Sequence, residues 1–149
     1  DVEALAGVDR IWWMVDGLTV REMSAAEKDT YRLEDLRTAK INTIDTRTAE
    51  LIEQGFTYKG VKISLSFAYQ TNITNLMMVR NEPYMTYPVE WNTIDDTGTV
   101  PTDDASEIQD MYLAAMAAVR TARDSGTALK NQARAATTIA ELDAVEDNR

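Results

Sequence analysis

The sequence predicts an α+β fold: an N-terminal β-hairpin, a long helix, then a small module of a second β-hairpin and about four helices. Three observations lead to that expectation. An Asp16-Gly17 pair sits between two β-rich runs, a strong short-range hairpin signal. A capping box, Ser24-Ala25-Ala26-Glu27, opens a stretch free of Pro and Gly that reaches Gln54. Apolar alternation on both sides of Lys59-Gly60 marks another ribbon.

The first hairpin pairs Ile11-Trp12-Trp13-Met14-Val15 with Leu18-Thr19-Val20-Arg21. Asp16-Gly17 fits a type I′ turn, in which both central residues have positive φ. Trp12 and Trp13 then point to opposite faces of the ribbon. One packs inward, and both are candidates for partner docking. An isolated two-stranded ribbon is marginal in water, so another element must cover it.

The helix from Ser24 to Gln54 spans about 31 residues, or about 46 Å. Gly55 supplies the left-handed residue that ends it. Its apolar stripe is thin, formed chiefly by Leu33, Leu36, Ile41, Ile44 and Leu51 and interrupted by Arg37, Lys40, Thr43 and Thr48. Helices draw most of their stability from tertiary packing. The rod is longer than a small domain needs, so these five residues are candidates for a homo-oligomer interface, an imperfect coiled coil. The alternative is a surface helix lying across its own domain.

Beyond Gly55, Phe56-Thr57-Tyr58 and Val61-Lys62-Ile63-Ser64-Leu65 form the second hairpin. Ser66 caps a helix that continues to Arg80, and Asn81-Glu82-Pro83 breaks it. Tyr84 to Trp91 is extended, with Pro88 at an edge position. Asp95-Asp96-Thr97-Gly98 forms a turn into Thr99-Val100. Pro101-Thr102-Asp103-Asp104 starts a helix whose apolar face holds Ile108, Met111 or Tyr112, Ala115 or Met116, Val119 and Ala122. Gly126 is expected to end it, with a short helix after it and a second capping box at Thr138-Ile139-Ala140-Glu141.

Composition limits the chemistry. The 149 residues, 44% hydrophobic and 27% charged, are those of an ordinary globular chain with a modest core. There is no Cys and no His, which excludes disulfides, thiolate metal sites, the Ser-His-Asp constellation and the usual zinc centres. The formal net charge of −10, with Lys and Arg interleaved among Asp and Glu, argues against a nucleic-acid partner. No run of about 18 apolar residues is present, so no helical membrane span is expected. No secretory signal is recognisable. The chain begins at Asp1 without an initiator Met, which suggests a processed product or part of a longer polypeptide.

The remaining motifs are weak. Setting Gly98 at the sixth position of a calcium loop puts Thr93 first and Asp104 twelfth, both wrong for an EF-hand. A turn followed by a helix cap explains the same residues. Glu34/Asp35 and Asp103/Asp104 are sequence neighbours, so neither pair shares a helical face. No Gly-rich phosphate loop exists. Hence no catalytic residue, metal or cofactor is expected.

The order Gly55-Phe56-Thr57-Tyr58-Lys59-Gly60, Ile63-Ser64-Leu65-Ser66, Thr86-Tyr87-Pro88-Val89, Ser125-Gly126-Thr127-Ala128-Leu129-Lys130 and Ala140-Glu141-Leu142-Asp143-Ala144-Val145 covers roughly two thirds of the chain. It resembles a small domain of uncharacterised function found in tailed-bacteriophage and prophage proteins, often associated with tail fibres. Trp13-Met14-Val15-Asp16-Gly17 and Arg21-Glu22-Met23-Ser24-Ala25-Ala26-Glu27-Lys28 look like segments of phage tail-fibre assembly proteins. Those proteins do not usually continue into a domain like Gly55 to Arg149. The resemblance implies a non-enzymatic virion component of the tail, tail fibre or an adaptor, found in the particle and, during assembly, in the host cytoplasm. The expected division is a hairpin (1–23), a helical arm (24–54) and an α+β module (55–149). The expected partners are other copies, with a trimer favoured, and neighbouring virion proteins. The alternatives are a tail-fibre assembly chaperone and a carbohydrate-binding receptor module, the latter using Trp12 or Trp91.

Overall fold

The computed structural model describes residues 5–149 and has the expected α+β architecture. After a 3-10 turn at Arg10–Trp12 come strands β1 (Trp13–Asp16) and β2 (Thr19–Glu22), then the long helix α1 (Ala25–Glu53). Strands β3 (Phe56–Tyr58) and β4 (Val61–Ile63) precede helix α2 (Phe67–Val79). Strands β5 (Val89–Asn92) and β6 (Thr99–Thr102) lead into helices α3 (Ala105–Ala135) and α4 (Ile139–Asp143). Each consecutive strand pair is a separate antiparallel ribbon.

The chain packs as two compact units, one formed by residues up to Asn42 with Asn131–Arg149, the other by Thr43–Lys130. The divisions fall inside α1 and α3. Each long helix therefore supplies buried residues to both units: Leu33 and Ile44 from α1, Val119 and Ala133 from α3.

The Thr43–Lys130 unit holds the main core. Phe56 and Tyr58 of β3, Ile63 of β4, Leu65, Ile73 of α2, Trp91, Val100 and the Met111, Ala115, Val119 row of α3 form one buried cluster. Pairing Phe56 with Ile63 and Tyr58 with Val61 puts the apolar alternation of both strands on one face. Lys59 and Gly60 both have positive φ, 47° and 83°, as a two-residue I′ turn demands. Trp91 donates its indole Nε1–H to Thr102 Oγ1 at 3.2 Å, and that hydroxyl in turn donates to the Val89 carbonyl at 3.1 Å. Thr102, fully buried, is thus satisfied within its own ribbon.

Gly55 ends α1 as expected, with φ 76°. A Cβ there would lie 2.1 Å from the Ile63 carbonyl oxygen, so both the turn and the close approach of β4 demand glycine. At the start of α3, Asp104 Oδ1 accepts the amides of Ser106 and Glu107 at 2.8 and 2.9 Å. Lys59 Nζ donates to Glu107 Oε2 at 2.6 Å and to the Pro101 carbonyl at 3.0 Å, joining the β3–β4 turn to this cap. The contact holds Glu107 below and Lys59 above their ordinary pKa values, the direct hydrogen bond being the largest cause of each.

Three local expectations need correction. Asp16 closes β1 and pairs with Thr19, so the turn residues are Gly17 and Leu18. Gly17 alone has positive φ, 61°, the pattern of a II′ turn rather than I′. Pro101 and Thr102 belong to β6, not to a helix start; in a two-stranded ribbon Pro101 needs only a position without a ladder donor. Helix α3 runs without a break through Gly126. Gly126 is buried, and it lines a depression with Asp45, Thr48 and Ala49 of α1. Tertiary packing there outweighs the roughly 1 kcal/mol that glycine costs inside a helix.

Candidate functional site

The N-terminal unit is built around the start of α1. Ser24 and Glu27 form the reciprocal cap: Ser24 N–H donates to Glu27 Oε2 at 2.8 Å, and Glu27 N–H to Ser24 Oγ at 3.3 Å. Arg21 of β2 then grips the same carboxylate with two nitrogens, at 2.7 and 2.6 Å. This guanidinium, with help from Ser24, pulls the Glu27 pKa down to about 2, and the carboxylate in turn pushes that of Arg21 up. Hairpin and helix are therefore joined by a shared carboxylate.

Fixing the first turn of α1 sets which residues face the hairpin. Lys28, Tyr31 and Arg32 fall on one side of the helix, at i, i+3 and i+4. The Trp12 ring meets Tyr31 edge-on at 6.0 Å, with Lys28 Nζ at 5.6 Å and the Arg32 guanidinium carbon at 5.2 Å. Trp13 donates its indole N–H to the Val8 carbonyl at 3.2 Å and lies under Arg10. Both indoles are half-buried and engaged within the chain. The exposed apolar residues of this region are instead Ile11, Val15 and Leu18, the last fully exposed at the turn tip. For Leu18 the turn itself supplies the sequence signal, since a turn residue that is not in the ladder faces water.

The stripe on α1 splits. Leu33 and Ile44 are buried by their own chain, Ile41 and Leu51 are half-buried, and Leu36 is exposed. Tyr31 is also exposed. In the same unit as Leu33, Arg37 donates to the Ala133 and Ala136 carbonyls at 3.2 and 2.7 Å, and Lys40 to Val145 at 3.0 Å. The Arg37 bonds satisfy carbonyls at the C-terminal end of α3 and just beyond it, and the Lys40 bond one that follows α4. The second capping box also forms, with Glu141 N–H donating to Thr138 Oγ1 at 3.1 Å. Its carboxylate reaches one residue further than expected, accepting from the Thr137 amide and hydroxyl.

The Thr93–Gly98 turn is internally satisfied. Asp95 Oδ1 accepts from the hydroxyls of Thr93 and Thr97 at 2.6 and 2.9 Å, which lowers the Asp95 pKa. Among the described residues no group of three or more acidic side chains is placed to hold a metal. No described helix is long and apolar enough to cross a membrane.

A feature absent from the sequence reading is a shallow depression of about 370 Å³ between α2 and β5. It is lined by Tyr69, Asn72, Asn75 and Leu76 from the helix and by Val89, Glu90, Trp91 and Asn92 from the strand. The helical residues recur at spacings of three and four, but an Asn-rich face reads as ordinary polar surface until a strand is placed opposite it.

Neither the curated proteins nor the solved structures contain a match to this chain. A family match does exist, and it begins at Asp35 inside α1, well before Gly55 where the short sequence words place the resemblance. The matching family is described as Domain of unknown function (DUF4376), and it takes in residues 35–146, about three quarters of the sequence, so the chain belongs to that family.

Proposed function

We propose that this protein is a structural component of a tailed-bacteriophage particle, in the tail, a tail fibre or an adaptor, working by self-association and docking. The observation that supports this best is the uncovered apolar set of the N-terminal unit: Ile11 just before the hairpin, Val15 and Leu18 on it, Tyr31 and Leu36 on α1. Large apolar side chains left uncovered within one compact unit support an interaction surface there. Most of it precedes Asp35, outside the family match, as an appendage to the shared domain. The likeness of this segment to tail-fibre assembly proteins adds the phage setting.

In this proposal three copies of the chain meet along the exposed edge of α1 at Leu36. The tip of the β1–β2 hairpin docks on neighbouring virion proteins. Trp12 sets the angle of that hairpin on α1 through Lys28, Tyr31 and Arg32, while Trp13 ties the hairpin to the preceding segment at Val8 and Arg10. Mass spectrometry of purified particles tests the assignment. The chain is expected at fixed stoichiometry with tail proteins; its presence in infected cells but absence from particles would make it an assembly chaperone instead.

A further inference from the structure

We infer that the depression between α2 and β5 is a binding site for a neutral saccharide unit. The inference stands apart from the self-association proposal, since no residue of this depression belongs to the N-terminal unit. The volume of about 370 Å³ lies within the range of small-ligand sites and accommodates one or two sugar rings.

The chemistry of the lining selects the ligand class. Asn72, Asn75 and Asn92 each present a carboxamide, which carries two donor hydrogens and an acceptor oxygen. Asn72 and Asn75 are three apart on α2 and so project side by side. Hydroxyls on a pyranose ring offer the same mixture of donors and acceptors. Neither of these two side chains, nor Glu90, nor the Tyr69 hydroxyl, has a hydrogen-bond partner among the described residues. Asn92 donates Nδ2–H to Asp96 Oδ1 at 3.0 Å, which fixes its amide plane and leaves its oxygen open.

Charge excludes the competing small ligands. No Lys or Arg lines the depression, and its single formal charge is the Glu90 carboxylate. A phosphate, sulfate or carboxylate ligand would meet repulsion with no compensating cation. A carboxylate accepting from a vicinal diol is favourable. The half-buried Tyr69 ring and Leu76 supply an apolar patch against which the C–H face of a sugar packs. Trp91 is buried, with its indole N–H committed to Thr102, so it serves as floor and not as a stacking platform.

Nuclear magnetic resonance on the full chain tests this. Methyl α-D-glucopyranoside, methyl β-D-galactopyranoside, N-acetyl-D-glucosamine and maltotriose are titrated to about 20 mM, a range suited to affinities near 1 mM. At least one should move the side-chain amide signals of Asn72, Asn75 and Asn92 and the Trp91 indole signal. In Asn72→Ala/Asn75→Ala, whose substitutions favour the helix, the affinity should fall at least about tenfold. Glu90→Gln, a milder change, should weaken binding while leaving the amide spectrum otherwise unchanged. Four results would overturn the inference: no response to any of these sugars, a response confined to other residues, unchanged affinity in the double variant, or a stronger response to N-acetylneuraminate. Binding of an extended Val-Thr-Val-Thr peptide at β5 without any sugar response would replace it with strand addition.

Discussion

The β1–β2 and β3–β4 ribbons are almost the same size, each closed by a two-residue turn containing glycine, yet they are held in place by different forces. In β3–β4, Phe56, Tyr58 and Ile63 are buried in the main core, and the ribbon is kept there by apolar contact. In β1–β2 no strand residue is fully buried, and the ribbon is held by the Arg21–Glu27 ion pair, the Lys28–Glu22 pair and the cations around Trp12. The difference teaches that a turn signal locates a ribbon without saying what anchors it. Apolar burial is insensitive to salt and mild acid, whereas surface charge pairs are screened by one and titrated by the other.

The largest effect should come from Gly55→Ala. It combines a left-handed φ with a Cβ placed on the Ile63 carbonyl, and should destabilise by at least about 3 kcal/mol. Urea unfolding measures it, and a loss below about 1 kcal/mol would mean that β4 can shift away. Next, Ile63→Ala should cost about 2–5 kcal/mol, against about 0.5 kcal/mol or less for the exposed Val15→Ala. Equal costs would erase the distinction between the ribbons.

Much of this contrast was legible beforehand, though unevenly. The caps at Ser24 and Thr138 and the stop at Gly55 were readable because each depends on a few neighbouring residues. The second hairpin was readable because Phe56 and Tyr58 alternate with polar residues and the other strand follows suit. Gly126 misled because burial against α1 is a tertiary fact that local propensity does not contain. Pro101 misled because an edge strand and a helix start both tolerate proline. On α1, Leu33 and Leu36 look alike in sequence, but only the fold decides that one is covered and the other left open. The α2–β5 depression was illegible for the same reason: the two elements follow one another in the chain, but only the fold sets the strand against the helix.

Smaller effects sharpen the electrostatic side. Ser24→Ala removes the helix cap and should lose about 1 kcal/mol in chemical unfolding. The acid response follows from Glu27. Its pKa lies at about 2 in the folded chain against the usual 4.5, so its contribution is complete above the higher value. That contribution is lost as pH falls through this window. Comparing unfolding at about pH 6 and about pH 3 should show a fall in stability that Glu27→Gln makes shallower. An identical slope in the variant would remove the shared carboxylate from the account.

Light scattering after size-exclusion chromatography, run over a range of protein concentrations, addresses the central claim most directly. The proposed three-copy assembly predicts a particle three times the 16.7 kDa chain mass. Leu36→Glu should reduce that particle to single chains without loss of helical circular dichroism. A wild-type protein that stays a single chain at the highest concentration, fully folded, would contradict it.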